Sequence, residues 1–147
     1  MSRAARESGS GRVSAGAAER ATLAIVVVGF AFGTATHAFD WLHFGPMPYA
    51  FGPPWANGFW NALLLLDAGV VVLLLTGRRR AGLALGVAVM TADLAINTYA
   101  WRVLEIGAFA TAVPVQAAFA GFLLGSLALL WRGSGGGKPR DPPRPER

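Results

Sequence analysis

The chain contains no cysteine. That excludes disulfides, thiolate metal sites and cysteine nucleophiles together. Lysine is nearly missing: Lys138 stands alone against twelve arginines, the bias a GC-rich genome leaves. Charged residues make up only 14% of the 147 residues, and 54% are hydrophobic. An ordinary soluble domain carries far more charge. Histidine is confined to His37 and His43, and no glutamate falls inside an apolar run. There is no phosphate-binding glycine loop, zinc-protease helix motif or nucleophile elbow. The sequence therefore names no cofactor.

What the chain does have is four apolar runs, at about 21–39, 57–76, 81–101 and 112–131. Each is about 20 residues long, enough to cross roughly 30 Å of hydrocarbon at about 1.5 Å per residue. A soluble core helix would show a polar stripe, and these runs mostly do not. The expectation is an all-α, integral membrane four-helix bundle occupying residues 20–131. The first run is long for the apolar part of a cleaved signal peptide, so it is read as a retained helix.

The arginines set the orientation. Arg3, Arg6, Arg12 and Arg20 precede the first run, and Arg78, Arg79 and Arg80 lie between the second and third. Arg132, Lys138, Arg140, Arg144 and Arg147 follow the fourth, leaving only Arg102 on the opposite side. By the positive-inside rule both termini are cytoplasmic, in what reads as a bacterial cytoplasmic membrane. The net charge of +5 is thereby explained by topology. The lipid bilayer, not nucleic acid, is the expected partner. Residues 1–19 and 132–147 read as disordered basic tails, the second Gly- and Pro-rich and suited to anionic headgroups.

Residues 40–56, DWLHFGPMPYAFGPPWA, read as the first outer loop. Pro46, Pro48, Pro53 and Pro54 exclude a continuous helix there. Trp41, Phe44, Tyr49, Phe51 and Trp55 place it at the membrane interface, as a lid over the bundle. Trp60, Trp101 and Trp131 are read as interface residues with Trp41 and Trp55. Pro114 is expected in the first turn of the fourth helix, where a missing N–H costs little. Gly29/Gly33, Gly82/Gly86 and Gly121/Gly125 are spaced for close helix contact, within one chain or in a homo-oligomer.

The chemistry belongs to the few polar residues inside the runs. Ionisable groups there are costly and face the bundle interior. Counting from the cytoplasmic end at 1.5 Å per residue puts Asp67 about 13 Å up and Asp93 about 18 Å. Thr34, His37, Asn61, Asn97 and Gln116 fall at about 20–24 Å, and Asp40 at about 28 Å. One polar layer drawn from all four helices predicts a pocket in the outer half, beneath the aromatic loop. Asp93 and Asn97 share a helix face, as do His37 and Asp40. Asp67 stacks over Trp60 but is displaced round the helix from Asn61, so it belongs to a deeper part of the site or to a helix contact. Asp40, Asp67 and Asp93 have no fixed cation at their depth. Either one of them carries a proton, or the site takes a cation.

The favoured reading is a pocket binding a small molecule, cation or lipid. Asp93, Asn97, His37 and Asp67 would contact the ligand, and Asn61 and Gln116 would orient them. One alternative is a membrane-embedded acid/base enzyme for a lipid or isoprenoid-like substrate. It would draw on His37, Asp40, Asp67 and Asp93. A structural or assembly subunit of a membrane complex is another. His37, Asp40 and His43 form a weak metal candidate, since His43 points away from His37 on a straight helix.

Overall fold

The computed structural model describes residues 3–133, with side chains from 16 to 132. The expected carboxy-terminal tail therefore lies almost wholly outside the described residues. Four helices follow one another: α1 Arg3–Phe44, α2 Pro54–Leu75, α3 Arg79–Arg102 and α4 Phe109–Gly133. Each contains a stretch long and apolar enough to cross a membrane: Gly16–Phe44, Pro54–Leu75, Arg79–Arg102 and Phe109–Arg132.

The helix ends follow local chemistry. α1 begins at Arg3, so the helix runs back through the segment read as a tail. Its alanines, arginines and Glu7 and Glu19 are good helix formers. α1 stops at Phe44 because Gly45 turns into positive φ and Pro46 follows. The connection to α2 is shorter than the sequence suggests, only 45–53. Pro54 does not break α2 but opens it, since a proline at the first helical position lacks only an N–H that has no helical partner anyway. α2 ends on Gly77 at φ 79, with the Thr76 and Gly77 N–H groups donating to Val72 and Leu74. Pro114 differs from expectation. α4 starts at Phe109, which puts the proline inside the helix rather than in its first turn.

Consecutive helices pack side by side, and α4 returns to α1 over a smaller interface than any between consecutive helices. The core runs the length of the bundle through Val26 and Phe30, Leu63 and Val70, Leu83 and Val89, and Leu123 and Leu130. The outside is apolar too: Val28, Phe32, Leu65, Leu75, Val115 and Leu124 are all exposed. Helices apolar on every face suit a hydrocarbon solvent rather than water. At one end of the bundle, Arg79 on α3 is paired with Glu19 on α1. The opposite end carries the 45–53 connection and the 103–108 turn.

The glycine pairs serve different purposes. A β-carbon on Gly82 would meet the Leu74 side chain of α2, and one on Gly86 would meet Phe30 of α1. Gly29 lies under the Phe119 ring, and Gly33 under the Asp67 carboxyl. These glycines admit side chains of neighbouring helices. Gly121 and Gly125 are open, with nothing near their missing β-carbons.

Candidate functional site

Because α1 and α4 meet so loosely, a cavity of about 1340 Å³ opens between them. Its floor is Asp67 from α2 with Asp93 and Asn97 from α3. Its walls are Ile25, Val28 and Phe32 on one side and Val115 and Phe119 on the other. Tyr49 and Phe51 from the 45–53 connection lie at its roof with Trp60 and Phe109. The walls are mainly apolar and the polar groups few and convergent, as in small-molecule sites generally.

Four side chains from three helices form one hydrogen-bonded set. The Trp60 indole N–H donates to Asn97 Oδ1 at 2.7 Å. Asn97 Nδ2 donates to Asp93 Oδ1 at 2.9 Å and to Gln116 Oε1 at 3.0 Å. Gln116 Nε2 completes the ring to Asp93 Oδ2 at 2.8 Å. The directions are not interchangeable. An indole N–H only donates, so Asn97 must present its oxygen to Trp60 and its nitrogen to the rest. Gln116 must then turn its oxygen to Asn97 and its nitrogen to Asp93. Both Asp93 oxygens thus receive N–H donors, an arrangement that suits a carboxylate.

Asp67 is treated quite differently. It is only 7% exposed, yet it has no hydrogen-bond or ion-pair partner among the described residues. It sits within electrostatic reach of Asp93 and lines the cavity. The small Gly33 makes room for it against α1.

A second set ties the roof to α1. The Tyr49 hydroxyl donates to Asp40 Oδ2 at 2.9 Å and lies 2.6 Å from His37 Nδ1. The hydroxyl has one hydrogen, and a carboxylate can only accept. His37 therefore donates through Nδ1, and its Nε2 has no hydrogen-bond partner among the described residues. Burial, the bond to Asp40 and the nearby charges of Asp40 and Asp93 push the Tyr49 phenol well above its ordinary range. Tyr49 is a neutral donor at physiological pH.

His37, Asp40, Asp67, Asp93, Asn97 and Gln116 all line this one cavity. Asn61 does not. Its amide donates to the Asn57 backbone oxygen and side chain, one turn back on α2. Its Oδ1 is buried without a partner. His43 is also elsewhere, stacked on Phe39 with ring centroids 3.8 Å apart. Among the described residues no group of three histidine or acidic side chains converges on a metal position.

Two residues gain importance that sequence reading did not give them. Trp60 is not an interface aromatic: it is 2% exposed and donates inside the bundle. It also stacks on Phe109 at 5.1 Å between centroids. Its spacing of seven from Asp67 puts both on one face of α2, and that was the available signal. Tyr49 was one aromatic among several in the lid. Nothing local marked it as the bridge between His37 and Asp40. Comparison of the chain with protein-family models, with curated proteins and with solved structures finds no match.

Proposed function

We propose that this is a multi-pass membrane protein that binds a small molecule, cation or lipid in the cavity between α1 and α4. The chain would lie in a bacterial cytoplasmic membrane with both termini on the cytoplasmic side. The Arg78–Arg80 turn would face the cytoplasm, and the 45–53 connection would face outward. The single observation that carries the binding reading is Asp67. A carboxylate buried at the floor of a mainly apolar cavity, without a partner, is costly to keep unless it takes a proton or something is bound there. Asp93 and its amide ring supply a second, fixed acceptor beside it.

Native mass spectrometry of the full chain, released from mild detergent, tests the reading. A retained small molecule or lipid, lost when a bulky residue fills the cavity in Val115→Trp, is the expected result. A chain that leaves detergent bare, and that no added amphiphile or cation shifts in mass or stability, would overturn it.

A membrane-embedded acid/base enzyme is the second reading, and one observation favours it. The Tyr49 bridge fixes the His37 tautomer and leaves Nε2 uncommitted at the cavity wall. An imidazole held in that way is suited to take a proton from a bound substrate. Turnover that disappears in His37→Gln, while ligand retention persists, would distinguish it from simple binding.

A further inference from the structure

The cavity's charge and its way in narrow the class of ligand. Of the residues lining it, Asp40, Asp67 and Asp93 are acidic, and none is lysine or arginine. A phosphate, sulfate or carboxylate headgroup would meet carboxylates there and no fixed cation. Asp93 already accepts two N–H donors, whereas Asp67 accepts none. The unmet demand at the floor is therefore for a hydrogen-bond donor, and the local charge favours a positive one. Above this floor the Tyr49, Phe51, Trp60 and Phe109 rings pack against one another and close the top with apolar surface.

The opening has its own chemistry. Val28 is 65% exposed, Phe32 74% and Val115 71%, and all three line the cavity. They belong to α1 and α4, which meet far less closely than the consecutive helices do. The mouth thus opens sideways, between apolar side chains, rather than only at the end of the bundle. A cavity of about 1340 Å³ exceeds the roughly 300–1,000 Å³ of an ordinary small-molecule site. It holds a headgroup and leaves space for part of a chain along Ala24, Ile25 and Val28.

We infer that the ligand is an amphiphile whose polar end is a protonated amine, entering sideways between α1 and α4 and placing its ammonium on Asp67. This rests on the binding reading above. The ammonium donates to the Asp67 carboxylate, with Asp93 as a second negative charge. The hydrocarbon chain lies against Val28, Phe32 and Phe119 and leaves through the mouth. A neutral alcohol of the same length would lose the charge pairing, and a fatty acid would be repelled. The phosphodiester of phosphatidylethanolamine would meet the same carboxylates, so the class is a free single-chain amine.

The test uses the full chain in phosphatidylcholine nanodiscs. Dodecylamine, dodecanol and dodecanoate are titrated in turn, and bound mass and thermal stability are read. Dodecylamine should bind about tenfold or more tightly than either of the others, and Asp67→Asn should remove that preference. Val28→Trp at the exposed lip should weaken dodecylamine binding while leaving the folded chain intact. It keeps the test decisive should Asp67→Asn fail to fold. Nanodiscs containing phosphatidylethanolamine check the exclusion: dodecylamine should be retained and that lipid not, and retention of the lipid in its place would overturn the free-amine assignment. Dodecanol binding as well as dodecylamine would overturn the amine assignment while the binding reading stood. No binding by any of the three would overturn the amine assignment, and the binding reading would fall with it only if the chain also left mild detergent bare.

Discussion

Asp67 lies directly against Gly33: a β-carbon on that glycine would land on the Asp67 Oδ2. The contact links α1 to the floor of the cavity and fixes where the unpartnered carboxyl points. Gly33→Ala must therefore push the carboxyl aside or part the two helices. The carboxyl ends a flexible side chain that faces the cavity, so it can swing aside at little cost to stability. The expected outcome is a melting temperature in detergent close to the wild type, with ligand binding weakened in the same variant. Gly121→Ala, where space is open, is the control and should melt like the wild type.

The two floor carboxylates should respond differently to amide substitution. Asp93→Asn would turn an N–H group toward either the Asn97 or the Gln116 donor, leaving a buried clash of donors. A loss of about 1–3 kcal/mol is expected. Asp67→Asn breaks no hydrogen bond among the described residues, so its stability should stay near the wild type. Thermal unfolding of both, side by side, checks the contrast. Equal destabilisation would show that Asp67 has a structural partner.

Tyr49 gives the bundle an alkaline limit. Its phenol is held above the usual value of about 10, so the folded state binds that proton more tightly than the unfolded chain. The stabilisation is complete below about pH 10 and declines as pH rises through the folded value. Stability measured from neutral pH upward should be flat and then fall in that window. Tyr49→Phe should shrink the fall, although it also loses the link between His37 and Asp40. A wild-type curve that falls no more steeply than the Tyr49→Phe curve would show that the phenol ionises freely.

Topology is open to direct labelling because the chain has no native cysteine. Arg78→Cys and Gly107→Cys lie in turns at opposite ends of the bundle. A membrane-impermeant maleimide should label Gly107→Cys in intact cells, and Arg78→Cys only after permeabilisation. The reverse pattern would invert the proposed orientation.

The four helices are legible because length and hydropathy alone determine whether a segment suits hydrocarbon. Their ends are less so. Pro54 and Pro114 show why: one proline opens a helix and the other sits inside one, so a proline alone does not mark where a helix starts. Within the site, Asp93 and Asn97 declare themselves by a spacing of four, and they are bonded. Gln116 is marked only by its polarity in an apolar run. Asn61 has the same mark and ends up outside the cavity, bonded to Asn57. Depth along a helix can be counted from sequence, but rotation about its axis is set by packing against neighbours. Tyr49 is harder still, since its partners depend on how a proline-rich connection folds back over α1.

The Trp60 indole has a last consequence. One hydrogen that cannot be reversed sets the sense of every bond in the Asn97, Gln116 and Asp93 ring. Water in an open cleft turns to suit whatever arrives, and that turning slows and weakens recognition. Here the amide dipoles already point one way before any guest enters. On the binding proposed above, a molecule entering would be sorted by charge without the walls having to rearrange.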